Sequence, residues 1–295
     1  MSEVTWGFPV VMDLFFAGLG AGSFCFSAVA SRHRGKGWES CSRMSSFLAP
    51  VAVVIGLTML VVDLRYRSRF WMTMNVFNPS SPMSIGAWLL SFFLIVSIAF
   101  ALYWIPPAIR KRLPWIGGLS VWKRTDLRIR IGQGGTVLAL GVSVYTGVLL
   151  AATGTPLWRG FSLPLFFFLS ALATGFAGGG LLGVLFAAGD MKGPLEFVKR
   201  SYRVVLPCLF LVALVHGVGG VLSPASKGAA LALITGWSGL IWWVGVVGIG
   251  MVLPWFLVMG QEAIGVKKAW PLFTAVLVGG FLLRFVLIFA GQGTL

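Results

Sequence analysis

Charge is what this chain has least of. Asp, Glu, Lys and Arg make up 11% of its 295 residues, less than half the share of about 25% that a soluble domain carries. A water-soluble globular domain is excluded, and a hydrophobic content of 58% with a mean hydropathy of +0.92 places the chain in lipid. Acidic residues are scarcer than basic ones, 8 against 23. That imbalance alone would suit a nucleic-acid binder. The Lys and Arg, however, fall in short blocks between long apolar runs, which is the charge pattern of membrane loops. The expected partner is the bilayer and not nucleic acid.

Cysteine and histidine are equally sparse. Cys25, Cys41 and Cys208 offer no CxxC spacing, so the chain alone cannot ligate an iron–sulfur cluster or a structural zinc, and structural thiols are expected. The two histidines, His33 and His216, fall at opposite predicted faces of the membrane, which rules out a bis-histidine haem within the chain. No haem, cluster or metal is expected here. The opening Met1-Ser-Glu-Val-Thr-Trp6 lacks the basic stretch of a signal peptide, so the apolar run behind it is expected to stay as the first helix. Gly132-Gln-Gly134-Gly135 has the look of a nucleotide loop, but no strand precedes it and no acidic residue completes the motif.

What is present is length and apolarity. A membrane-spanning helix needs about 20 largely apolar residues. Eight stretches qualify, near 8–31, 44–62, 84–106, 131–152, 163–189, 204–222, 229–258 and 270–291. They are too long and unbroken for the roughly ten-residue alternation of a membrane barrel. The expected fold is all-α, a polytopic membrane protein with one domain over residues 1–295.

Orientation follows from the loops. The odd-numbered loops hold Arg32, Arg34, Lys36, Arg43, Arg110, Lys111, Arg112, Lys123, Arg124, Arg128, Arg130, Lys192, Lys199, Arg200, Arg203, Lys267 and Lys268, 17 in all. The even-numbered loops hold 5: Arg65, Arg67, Arg69, Arg159 and Lys227. Odd loops are therefore expected in the cytoplasm and both termini outside. Glycines at GxxxG spacing in Gly18-Leu-Gly-Ala-Gly22 and Gly175-Phe-Ala-Gly-Gly179 point to close helix packing in lipid.

Polar side chains inside spans are costly and point to function. Asp13 comes early in the first span and Arg284 late in the eighth. Tyr145 and His216 fall toward the outward ends of the fourth and sixth, Ser84 and Trp88 open the third, and Asp63 closes the second. All lie toward one face, which predicts a polar pocket in the outer half of the membrane. The competing readings are a snorkelling Arg284, an aromatic-belt Tyr145, a His216 that hydrogen-bonds between helices, and an interfacial Asp13.

The segments Trp6-Gly-Phe-Pro-Val10 with Asp13-Leu-Phe-Phe-Ala-Gly-Leu-Gly-Ala-Gly22, Asn78-Pro-Ser-Ser-Pro-Met-Ser-Ile-Gly-Ala-Trp88, Tyr145-Thr-Gly-Val-Leu-Leu150, Leu163-Pro-Leu-Phe-Phe-Phe-Leu-Ser-Ala171 and Leu283-Arg-Phe-Val-Leu-Ile-Phe-Ala-Gly-Gln292 resemble the signatures of the NrfD/PsrC family, across essentially the whole chain. The resemblance implies eight helices in two four-helix bundles in the bacterial inner membrane. It also implies electron exchange with menaquinone or ubiquinone. A ferredoxin-like iron–sulfur partner subunit is implied, connecting to a molybdopterin or multihaem catalytic subunit. By position, Asp13 corresponds to a polar residue lining the quinone pocket and Tyr145 to a tyrosine that hydrogen-bonds the ring, while the loop 63–83 faces the iron–sulfur partner. Several relatives carry a glutamate early in the sixth helix where this chain has Cys208 beside Pro207, so a proton route through that acid is not expected here.

The expected function is that of a quinone-binding anchor subunit of a respiratory oxidoreductase, not catalytic alone. Asp13 would exchange the proton, Tyr145 would hold the ring, Ser84, Trp88 and His216 would line the site, and Arg284 would be the counter-ion of Asp13. The rival readings are an ion-translocating or transporter subunit without a redox role, for which midplane polar groups would be expected, and a structural anchor whose pocket holds lipid.

Overall fold

The structure is a computed structural model that describes residues 6–63, 77–105, 125–186, 190–260 and 269–293. Eight helices long and apolar enough to cross a membrane run through it: α1 (Phe8–Ala30), α2 (Lys36–Asp63), α3 (Pro82–Leu102), α4 (Thr125–Ala151), α5 (Ser162–Phe186), α6 (Lys192–Leu222), α7 (Gly236–Met259) and α8 (Trp270–Gly291). No strand occurs among the described residues. The protein is a multi-pass, all-α membrane protein.

Three helices begin well before their apolar runs. α2 starts at Lys36, α4 at Thr125 and α6 at Lys192, each inside a segment that hydropathy alone assigns to a basic loop. The apolar run measures what lipid must cover, whereas the helix continues as far as its neighbours give it something to bury. At this end of α6, Leu195, Val198 and Tyr202 are buried, and the Tyr202 hydroxyl donates to the Ala173 carbonyl of α5 at 2.9 Å. Trp38 at the start of α2 stacks on His33 at 4.2 Å and meets Phe197 of α6 edge-on at 6.0 Å.

The stretch 229–258, expected as one span, is divided. A short helix, Lys227–Ile234, ends at Thr235, and the chain turns at Gly236, whose φ of +63° lies in the left-handed region that favours glycine. α7 starts afresh there. Its middle, Ile241–Val252, winds as a π-helix, and Gly250 lies so close to α8 that a Cβ would stand 2.6 Å from the Gly279 Cα.

α1 is the central helix, packed against α2, α4 and α5, with α8 also touching it. α3 leans on α2 and α4, α5 carries α6 and α8, and α7 rests on α8 and α6. The glycines explain the central seam. A Cβ on Gly22 would strike the Ala171 carbonyl of α5, and one on Gly175 would strike the backbone of Gly22, so α1 and α5 touch main chain to main chain.

The first and last described residues meet. The Gln292 side-chain oxygen accepts from the Trp6 backbone N–H at 2.6 Å, and its amide donates to the Trp6 carbonyl at 3.0 Å. Trp158, between α4 and α5, donates its indole N–H to the Leu287 carbonyl at 2.8 Å. The start of α1, the end of α8 and the connection after α4 therefore share one face, called the terminal face below. On the outside of the assembly Val51, Ile95, Val137, Leu211 and Phe256 are exposed. Such a surface belongs against lipid tails.

Candidate functional site

Polar groups buried in a helical membrane protein need either a partner or a purpose. Asp13 is on the second turn of α1, 4% exposed, and is directed at α2, where a Cβ on Gly56 would lie 3.0 Å from its Oδ1. That oxygen is buried and has no hydrogen-bond partner among the described residues. Tyr145 is half-buried on α4, with its hydroxyl laid against Gly86 of α3 so closely that any side chain at 86 would overlap it. Asp13 and Tyr145 are near enough to influence each other electrostatically. Four helices thus contribute one residue each: a carboxyl, a phenol and two glycines that leave them room.

Gly56 and Gly86 were not singled out by sequence reasoning. The available signal was a lone glycine in an apolar helix, Ile55-Gly56-Leu57 and Ile85-Gly86-Ala87, which marks a close approach as readily as it marks a weak spot.

Ser84 and Trp88 open α3 at this same face. The Ser84 hydroxyl accepts from the Asn78 backbone N–H at 3.0 Å, and its own N–H donates to the Ser81 cap at 3.4 Å. Ser84 therefore helps to tie down the start of α3. Trp88 packs edge-on against Phe77 at 6.3 Å and tilted against Phe92 at 5.7 Å, and its indole nitrogen is buried without a partner among the described residues. Asp63, exposed at the end of α2, approaches the N-terminus of α1, where a Cβ on Gly7 would lie 3.5 Å from its Oδ1. A carboxylate there suits the positive end of the helix dipole. Of the loop 63–83, residues 64–76, with Arg65, Arg67 and Arg69, lie outside the described residues, as do Arg110, Lys111, Arg112, Lys123, Arg124, Lys267 and Lys268.

No ion pair joins Arg284 to Asp13 among the described residues. Fully buried, Arg284 donates from Nε to the Leu14 carbonyl of α1 at 3.0 Å, and from one terminal nitrogen to the Ser170 hydroxyl of α5 at 2.9 Å and the Gly280 carbonyl at 2.7 Å. Phe15 and Phe167 flank its guanidinium at 5.7 and 5.3 Å. Nε and one terminal nitrogen are taken by oxygens without formal charge and the plane by ring faces, which a planar, weakly hydrated cation accepts, while the other terminal nitrogen is buried against Gly18 without a partner among the described residues. Arg284 does not snorkel either; it joins α1, α5 and α8 at the turn of α1 that carries Asp13. Ser170, the acceptor on α5, stood within the motif 163–171 but without an assigned role.

His216 lies apart from this cluster. It is 4% exposed on α6, its Nδ1 is 3.0 Å from the Ser162 hydroxyl, and its ring sits 6.2 Å from Phe166. All these partners belong to α5, not to the helices holding Tyr145, Ser84 and Trp88. Beside it is a cavity of about 270 Å³. Two apolar grooves of about 220 and 280 Å³ lie on the α6–α7 side, away from Asp13. Cys25 and Cys41 are buried thiols and Cys208 is an exposed one. Among the described residues no three His, Cys, Asp or Glu gather where a metal could sit.

The profile of the family described as polysulphide reductase, NrfD, matches residues 1–295. The C subunit of the polysulfide reductase of Wolinella succinogenes is 29% identical over 310 residues, covering 99% of this protein and 95% of that one. Protein NrfD of Escherichia coli is 26% identical, covering 99% and 96%. The Hdr-like menaquinol oxidoreductase integral membrane subunit of Archaeoglobus fulgidus is 24% identical, covering 99% of this protein and 72% of that one. With eight apolar helices, a buried acid at the terminal face and one profile matched from the first residue to the last, this protein belongs to the NrfD family of membrane proteins found among the subunits of oxidoreductases.

Proposed function

We propose that this protein is the quinone-interacting membrane subunit of a respiratory oxidoreductase, exchanging electrons between menaquinone or ubiquinone and an iron–sulfur partner subunit. The observation that carries the reading is the Asp13 carboxyl oxygen, buried without a hydrogen-bond partner among the described residues, in the four-helix cluster that also holds the Tyr145 phenol. A buried polar atom left unpaired costs about 1–3 kcal/mol. It is kept where its partner is a ligand. The relative that is a menaquinol oxidoreductase subunit supports the quinone as that ligand.

A quinone supplies a carrier of two electrons and two protons. The protein's part is positioning and proton transfer. Asp13 holds or releases a proton at its free oxygen, shielded from bulk water by α1 and α2. Tyr145 remains a neutral donor and acceptor and orients the ring oxygen. Trp88, whose indole N–H is also without a partner among the described residues, lines the site with Ser84. Arg284 acts as a positioning residue, fixing the Leu14 carbonyl next to Asp13.

The contacts among α1, α2, α3 and α4 and those among α5, α6, α7 and α8 are read as the two bundles, in a bacterial inner membrane, with the terminal face outside and the basic odd loops in the cytoplasm. The iron–sulfur subunit would dock at the loop 63–83 and connect to a molybdopterin or multihaem catalytic subunit. The test is purification from the native membrane. A quinone and a cluster-bearing subunit should accompany the protein, and recovery of the intact protein with neither would refute the proposal.

A further inference from the structure

The cavity beside His216 lies at the terminal face, between the start of α5, the end of α6 and the start of the short helix Lys227–Ile234. Its polar lining is Arg159, Ser162, His216, Ser223 and Ser226, and among the described residues no acidic one is part of it. His216 is 4% exposed and its Nε2 is buried without a partner among those residues. Ser162 Oγ and Nδ1 share a hydrogen bond of 3.0 Å; in the tautomer in which Ser162 donates, the proton sits on Nε2 and makes it a donor with no partner among the described residues. Two helix N-termini border the space, α5 at Ser162 and the short helix after Ser226, with Lys227 as the first residue of the latter. Helix N-termini direct unpaired N–H groups and positive dipole ends outward. The basic side chains and both helix N-termini favour negative charge, against the opposing dipole of the C-terminal end of α6.

We infer that this cavity binds a phosphate group, and that its bearer is a membrane phospholipid. The headgroup phosphate would accept from His216 and pair with Arg159. The lipid source follows from the neighbouring surface. The end of α6 that presents His216 to the cavity also borders an apolar groove of about 220 Å³, where Leu214, Val218, Val221 and Leu222 meet Trp243. A free anion has no use for such a groove, whereas an acyl chain fills it. The inference is independent of the quinone reading, since it uses neither Asp13 nor Tyr145.

The test is native mass spectrometry of the delipidated full-length protein in detergent, titrated separately with phosphatidylglycerol, with diacylglycerol of the same acyl composition, and with inorganic phosphate as competitor. Phosphatidylglycerol should bind roughly tenfold more tightly than diacylglycerol, the gain of one charge-assisted hydrogen bond. His216→Phe and Arg159→Ala should each bring it down to the diacylglycerol level. Arg159 is exposed, so its replacement leaves the packing intact. Equal retention of the two lipids, or wild-type phosphatidylglycerol retention in both variants, overturns the site. Complete displacement by millimolar inorganic phosphate overturns the lipid assignment, and failure to displace supports it.

Discussion

A carboxyl group buried in a membrane protein normally finds a hydrogen bond or a cation, and Asp13 has neither at Oδ1 among the described residues. Arg284, on the adjoining turn of packing, directs Nε and one terminal nitrogen to the Leu14 carbonyl, the Ser170 hydroxyl and the Gly280 carbonyl and forms no ion pair with Asp13 among the described residues. If Asp13 is the proton-exchanging group, Asp13→Asn should lower quinol-linked turnover about 10²-fold or more, the usual worth of a positioned acid or base, while the partner's activity with an artificial dye persists. Wild-type quinol turnover in an assembled Asp13→Asn protein would show the acid to be structural. Tyr145 has a different task. Tyr145→Phe removes one hydrogen bond, worth about 0.5–1.5 kcal/mol, and should raise the apparent KM for quinol several-fold with little change in kcat. Gly86→Ala should mimic it, because the new methyl group must push the Tyr145 ring aside. A Gly86→Ala protein with an unchanged KM would separate Tyr145 from the site.

The helices themselves were legible in the sequence where lipid dictates them. Eight apolar runs became eight spans, and the glycine pairs at 18, 22, 175 and 179 marked surfaces that do pack closely. What escaped was everything decided by protein contact. The early starts of α2, α4 and α6 depend on residues such as Trp38 and Tyr202 finding partners on other helices, which no window average detects. The break at Gly236 hid inside a run that is apolar on both sides. The polar residues showed the same division, since depth was readable from position along a helix but azimuth was not. Depth grouped His216 with Tyr145; azimuth turns His216 toward α5. The α1–α5 seam yields a prediction of its own. Gly22→Ala or Gly175→Ala inserts a methyl group into opposing backbone, an overpacking that costs about 1–3 kcal/mol or more, and should lower the thermal midpoint in detergent. Gly134, with nothing within 4 Å of its virtual Cβ, is the control whose alanine variant should melt like the wild type.

At the scale of the molecule, the contact between Trp6 and Gln292 fixes both ends of the described residues on one face, but not on which side of the membrane that face lies. The proposed side rests on the 17 basic residues of the odd connections, several of which lie in the starts of α2, α4 and α6, against 5 in the even ones. Cysteine labelling should find positions near 35, 120, 195 and 265 cytoplasmic and both termini outside. Labelling of either terminus from the cytoplasm would move Asp13 and Tyr145 to the inner leaflet and with them the proposed site of proton release. Arg65, Arg67 and Arg69 run against the charge rule and suit an acidic partner surface. Reversing all three should reduce recovery of the cluster-bearing subunit, most at low salt where the charges are least screened, and unchanged recovery at low and high salt would sink the idea.

The socket of Arg284 bears on how this protein is made. α8 is synthesised after α1 and α5, and its arginine would cost about 2.5–3.5 kcal/mol at the centre of an isolated helix in lipid. The oxygens that receive it outside its own helix, the Leu14 carbonyl and the Ser170 hydroxyl, belong to helices made long before it, at separations of 270 and 114 residues. α8 therefore has a dry, prearranged receptor only if α1 and α5 have already met along their glycine seam. Biosynthesis acquires an order: the seam must close first, and the arginine then acts as the latch that tests whether it did.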